Sequence, residues 1–144
     1  MPGTGTTNVS ADERQAVEQV VLDTFWLVDH GEADLVTRHC APDFTMEALG
    51  MVLDLETFTA TMAQRVDAPY ESRHLVSNFR AERLDDGRLA AHYYVVAHRT
   101  DSPDPLVAQA ISDWHDVFVP DGDGGWLISS RRLEIALQPD GPPA

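Results

Sequence analysis

A chain of 144 residues, 43% apolar and 24% charged, fits one globular domain that buries roughly 68–70% of its unfolded-chain surface. Its net charge is −14 and its ten basic residues are all arginine, a balance that repels phosphate backbones and excludes nucleic acid and anionic membranes as partners. No apolar run approaches the roughly 20 residues of a membrane span, and no charged-then-apolar leader opens the chain. Cys40 is the single cysteine, so an intrachain disulfide is excluded and a reducing cytoplasm is the expected setting.

Residues 1–9 are small and polar and predict a disordered tail. Ser10-Ala11-Asp12-Glu13 matches a capping box. Val17, Val20, Val21, Thr24, Phe25 and Val28 then recur at helical spacing, and Gly31 suits a left-handed stop. Asp29 falls in the last turn of that helix, where a carboxylate opposes the dipole at a cost of about 0.3–1 kcal/mol if exposed. A second, shorter helix is predicted over 33–40, ended by Ala41-Pro42. Phe44–Val52, with Gly50 inside it, predicts a short strand, turn and return. Asp54 can cap a third helix with Leu55, Phe58 and Met62 on one face.

From Glu71 the periodicity changes from 3.6 to 2. Long strands are predicted over 71–84 and 88–99, joined by Asp85-Asp86-Gly87, and over 107–119 and 126–137, joined by the Gly/Asp turn 121–125. The expected architecture is therefore α+β, helices first and then a four-stranded antiparallel meander, with the domain over 10–137 and a C-terminal tail over 138–144. On the first of these strands alternation puts His74, Val76 and Asn78 on one face and Leu75, Ser77 and Phe79 on the other. An imidazole lining a cavity is a candidate proton acceptor near neutral pH; the plain alternative is a strand histidine bonded to a backbone group. His98 shares its face with His92, Tyr94 and Val96. Arg131 and Arg132 point opposite ways on the last strand, and one of them is expected to pair with Asp116 across the sheet. Trp114 shares parity with Ser112 and Asp116, so an apolar ring stands among polar groups.

In these features the chain resembles the SnoaL-like branch of the nuclear transport factor 2-like superfamily. The resemblance runs from Ser10 to about Leu137, through Asp29-His30-Gly31, Ala41-Pro42-Asp43-Phe44, Arg73-His74-Leu75-Val76-Ser77-Asn78, Val96-Ala97-His98 and Gly125-Trp126-Leu127-Ile128 leading to Arg131-Arg132. It implies a curved antiparallel sheet wrapped by the N-terminal helices into a cone, an α+β barrel with a deep, mostly apolar pocket at its open end. Within the superfamily the chain is most similar to the scytalone dehydratase and hexachlorocyclohexane dehydrochlorinase type, whose catalytic aspartate and histidine correspond to Asp29 and His74. A second catalytic histidine of the first type corresponds to His98, and the pocket arginine of the second to Arg131. The water-holding tyrosines of the scytalone type fall on Val28 and Ala48, and its pocket asparagine near Trp114, so scytalone itself is not the expected substrate.

The resemblance thus implies a cofactor-free lyase or cyclase acting on a small hydrophobic, oxygenated molecule of polyketide or terpenoid character. His74 would act as base, oriented by Asp29, with His98 or Arg131 assisting; the residues leave open whether Asp29 orients His74 or His98. Phe25, Met46, Met62, Asn78, Tyr94, Ser112 and Trp114 are the expected substrate contacts. No metal is expected, because no H-x-D or H-E-x-x-H pair joins Asp29, His74 and His98. Two alternatives stand beside this reading: a non-catalytic hydrophobic-ligand-binding or assembly module, and an epoxide hydrolase or ketosteroid-isomerase-like isomerase. A homodimer is expected, with Leu75, Phe79, Tyr93 and Val117 as residues that would furnish either its interface or the core.

Overall fold

The computed structural model describes residues 9–139. Most of the two expected tails, residues 1–8 and 140–144, lies outside the described residues. Helix α1 (Ala11–Asp29) begins at Ser10, whose hydroxyl accepts from the Glu13 amide while the Glu13 carboxylate accepts from the Ser10 amide, both at 3.0 Å. Gly31 at φ +81° turns the chain out of the helix, a conformation glycine adopts without a Cβ clash. A 3₁₀ segment (Ala33–His39) follows, then strands β1 (Cys40–Ala48) and β2 (Met51–Asp54). Asp54 caps helix α2 (Leu55–Val66) by accepting from the Thr57 amide at 2.8 Å.

Four long strands complete the chain: β3 (Ser72–Arg83), β4 (Leu89–Arg99), β5 (Ala110–Pro120) and β6 (Trp126–Leu137). All six strands form one sheet in the order β2-β1-β6-β5-β4-β3. The meander predicted from periodicity is therefore four of six strands, and the sheet is mixed, because β1 runs parallel to β6. Pro42, expected to precede a strand, lies inside β1. The β1–β6 register shifts between Cys40 and Thr45, which spares the ladder the missing proline N–H.

The core lies between the helices and the inner face of the sheet. Val17, Val21 and Phe25 of α1 meet Phe79, Tyr93 and Ile128, and Phe44 of β1 meets Phe58 of α2 at a ring-centroid distance of 4.7 Å. Each such fully buried side chain contributes about 1.5–3 kcal/mol of transfer free energy. Phe79 and Tyr93, at 8% and 0% exposure, thus belong to the core, whereas Leu75 stands 56% exposed on the outer face. No helix among the described residues is long and apolar enough to cross a membrane.

One irregularity changes the reading of β3. The β3–β4 register shifts between Ser77 and Arg80, and Asn78 takes φ +55°, a region asparagine tolerates better than most side chains. Such a bulge flips the alternation. Ser72, His74 and Val76 face inward, Ser77 and Asn78 both face outward, and Phe79 returns to the core. Arg14 of α1 secures the bulge, donating to the Phe79 carbonyl at 3.1 Å and lying over its ring.

Candidate active site

The last turn of α1 abuts the first residues of β3, and that junction builds the site. Asp29, only 8% exposed, is held from β3 by a set of donors. Ser72 Oγ donates to Oδ1 at 2.7 Å, the His74 backbone amide to Oδ2 at 2.8 Å, and the His74 ring approaches Oδ1 through Nδ1 at 2.6 Å. Arg73 donates to the Asp29 carbonyl at 3.1 Å, placing a cation where the helix dipole is negative. The conflict of a carboxylate at a helix C-terminus is answered by β3.

Burial pushes the Asp29 carboxyl upward, but the bonds from His74 and Ser72 outweigh it and hold the group below the ordinary aspartate value. An ionised carboxylate only accepts, so Nδ1 of His74 is the donor in this bond, and in the neutral ring the lone pair lies on Nε2. The His74 ring lines a cavity of about 210 Å³ between α1, α2 and the sheet. Phe25 lies against it at 5.0 Å, packing on the imidazole whose Nδ1 is already bonded to Asp29.

A second polar cluster lies deeper. Arg131 of β6 donates through Nε and Nη2 to the two oxygens of Asp116, each at 3.0 Å, and through both Nη atoms to Thr24 Oγ1 at 3.2 Å. Tyr93 donates its hydroxyl to Asp116 at 2.7 Å, and burial pushes that phenol well above its ordinary value. Burial works against the Arg131 cation, but Asp116 more than offsets it and the guanidinium stays protonated. Arg131 also lies 5.4 Å from the Phe25 ring centre and 5.1 Å from that of Trp114. It lines the cavity while tying α1 to the sheet. Arg132, facing out, pairs with Glu134.

Of the remaining sequence candidates, Phe25, Met46, Met62 and Trp114 line the same cavity. Ser112 is buried on the inner face but is not among its lining residues. Three others are elsewhere. His98 pairs with Arg73 on the outer face and donates from Nδ1 to the Pro105 carbonyl at 3.0 Å. Inward parity on β4 belongs to Leu89, Ala91, Tyr93 and Val95, so Tyr94, 40% exposed, also faces out. Asn78 is turned away by the bulge. The open choice between Asp29 partners is thus decided by geometry: Asp29 bonds His74, not His98.

The structure also adds residues that the sequence did not single out. Ser72 on Asp29, Thr24 on Arg131, and a group of Arg65, Tyr70 and Arg99 at the cavity rim belong to the site. Parity with His74 would have found Ser72; nothing in the local sequence signals the others. Cys40 is pushed by burial up to about 11 and stays a thiol. Among the described residues, no group of three or more His, Cys, Asp or Glu is placed to hold a metal ion.

Comparison with known proteins agrees with this architecture. The SnoaL-like domain family matches residues 9–132. Among solved structures, one named provisionally as a scytalone dehydratase, from Novosphingobium aromaticivorans, superposes with TM-score 0.78 at 16% identity, covering 92% of this chain and 90% of its own. A protein from Catenulispora acidiphila in complex with S-DNPA gives 0.74 at 21% identity, over 88% and 95%. A third, described as NTF2-like with a cystatin-like fold and also from N. aromaticivorans, gives 0.70 at 15% identity, over 87% and 82%. Among curated proteins no sequence matches.

Proposed function

We propose, since the chain belongs to the SnoaL-like family, that it is a cofactor-free lyase or cyclase in which His74 removes a proton next to a carbonyl. The observation that carries this reading is the Asp29–His74 bond of 2.6 Å at the wall of an apolar cavity. An imidazole whose Nδ1 proton is held by a buried carboxylate presents a basic Nε2, and the carboxylate stabilises the imidazolium formed on proton transfer. For a β-hydroxy ketone, Nε2 takes the α-proton, the freed electron pair forms the new C=C bond, and the β-C–O bond breaks. The departing hydroxide takes the proton back from the imidazolium and leaves as water. Cyclisation and double-bond isomerisation begin with the same proton removal.

Arg131 is the candidate for the developing enolate oxygen. Its Nε and Nη2 face Asp116, Thr24 and Tyr93, and among the described residues Nη1 has a single partner in Thr24, which leaves one Nη1 proton for a ligand. Phe25, Met46, Met62 and Trp114 supply apolar walls suited to a small, ring-shaped, polyketide- or terpenoid-like molecule. Its volume lies below the roughly 300–1,000 Å³ of drug-sized sites, which favours a compact substrate. A cytoplasmic homodimer packed through the outer sheet face completes the proposal, and sedimentation analysis tests it.

The test uses a panel of 3-hydroxy-tetralones in D₂O, followed by NMR. Exchange of the α-protons, with loss of water, is expected for the wild type and lost in His74→Gln. Exchange at an undiminished rate in that variant would sink the assignment. A binding module is the second reading, favoured by the same apolar walls and by the S-DNPA complex of the C. acidiphila protein; tight binding without exchange of any panel member would establish it. Epoxide hydrolysis fits less well. Asp116 and Arg131 supply an acid and an arginine, but Asp116 is 1% exposed, with both its oxygens engaged by Arg131 and Tyr93.

A further inference from the structure

We infer that the rim of the cavity is a subsite for an anionic group, a carboxylate carried at one end of the ring-shaped ligand, and that Arg65 reads it. The inference rests on the cavity being the substrate site, as proposed above, but not on His74 being the base. Arg65, Arg99 and Arg131 all line this one cavity, in a chain with ten arginines and a net charge of −14. Arg131 is matched by Asp116. Arg99 is matched by Asp101, through Nε at 2.9 Å and Nη2 at 2.5 Å. Among the described residues, Arg65 has no carboxylate within salt-bridge distance; it donates from Nη2 to Ser72 Oγ at 2.8 Å. Among the described residues, then, Arg65 is the one cavity-lining arginine with no carboxylate within salt-bridge distance, although Asp101, bonded to Arg99, also feels its charge.

The plain alternative is an arginine placed in the last turn of α2 for the helix dipole. A dipole partner would extend into solvent, whereas Arg65 is folded back against the rim. Its guanidinium lies 4.4 Å from the centre of the Tyr70 ring, and the Arg99 guanidinium lies 3.6 Å from the same ring. The loops that carry Tyr70 and Asp101 are tied together, Thr100 donating to the Glu71 carbonyl at 3.0 Å and the Glu71 amide to Thr100 Oγ1 at 2.9 Å. Arg65 is therefore held in one geometry before any ligand arrives, with donors left over from Ser72. Such a fork suits a carboxylate, and little ordering entropy remains to be lost. An acidic protein repels anions at long range, so an anionic ligand needs a local cation of this kind at the entrance. Ser72, which accepts the Arg65 bond, donates its own hydrogen bond to Asp29. The anion subsite and the base are thus joined by one hydroxyl.

The test compares 1-naphthylacetate with 1-naphthylacetamide, read by isothermal titration calorimetry at low salt. The pair differs in charge at nearly constant shape. The wild type is expected to bind the acid at least about tenfold more tightly than the amide, the margin of a charge-assisted hydrogen bond over a neutral one. That ratio is expected to fall to about one in Arg65→Gln, to recover in part in Arg65→Lys, and to persist in His74→Gln. Equal affinity for the two probes, binding of neither, or a ratio unchanged in Arg65→Gln overturns the inference. Because the readout is binding, persistence of the ratio in His74→Gln separates its fate from that of the proposed base.

Discussion

The two faces of the sheet each carry a histidine bonded to an aspartate, at nearly the same distance. On the inner face His74 meets Asp29 at 2.6 Å, with side chains 19% and 6% exposed. On the outer face His92 meets Asp113 at 2.7 Å, with side chains 35% and 30% exposed. Separation does not distinguish them; surroundings do. Asp29 has added donors from Ser72 and the His74 amide, and Phe25 packs against the imidazole. His92 stacks instead on His115 at 4.6 Å, whose imidazole is held below its ordinary value by burial, Arg132 and His92. One pair is fixed beside an apolar cavity, and the other is a solvated ladder contact. The same contrast holds for arginine: Arg131 is buried on Asp116, while its neighbour Arg132 lies at the surface on Glu134.

The largest effect expected from this contrast is on turnover. His74→Gln and Asp29→Asn should each reduce the rate by about 10²–10⁴, the usual contribution of a positioned base, while His92→Gln and Asp113→Asn leave it within about twofold. Steady-state kinetics on a substrate from the tetralone panel decides; equal losses on the two faces would erase the distinction.

Stability gives the next contrast. Arg131→Met leaves Asp116 charged and buried, which should cost about 3–5 kcal/mol, whereas Arg132→Met should stay within about 0.5 kcal/mol. Urea unfolding of both variants measures this directly.

Ser72→Ala should cost about 1 kcal/mol and change the acid limb of stability. Asp29 is lowered in the fold, so its contribution is present above the unfolded value of about 3.9 and fades as pH falls through the folded one. Removing the Ser72 donor leaves burial less opposed and raises that folded value, so less stability is left to lose in acid. Urea midpoints from pH 7 to 3 should show the variant below wild type at neutral pH and the two curves converging as acid is added. A small effect is also expected at Asp113→Asn, below about 1 kcal/mol for a solvated pair, with no change in the acid limb assigned to Asp29.

Much of this was legible along the chain. The Ser10 capping box, the apolar stripe of α1, the Asp54 cap and the Asp86-Gly87 and Asp121–Gly125 turns depend on neighbours within a few residues, and they form as local chemistry requires. Hydrophobic periodicity was enough to place β3, β4 and β6 nearly to their ends, though β5 starts three residues later than predicted. Periodicity failed where a ladder is irregular. One bulge at Asn78 moved a candidate contact to the outside and Phe79 into the core, and His98, a candidate through the resemblance, has a parity on β4 that turns it outward.

What the sequence by itself determined, then, was the kind of molecule: an α+β domain with an aspartate at the end of its first helix and a histidine at the start of its longest strands. Tertiary structure decided which of the histidines meets that aspartate, because packing brings together α1 and β3, with Asp29 and Ser72 separated by 43 positions along the chain. It also decided the charge of the cavity. Arg131 and Arg99 read identically to Arg65 along the chain, and only the sheet register that sets Asp116 against Arg131, and the loop that sets Asp101 against Arg99, leave Arg65 without an ion-pair partner among the described residues. Burial and pairing are properties of surroundings, and surroundings are assembled from residues far apart in sequence.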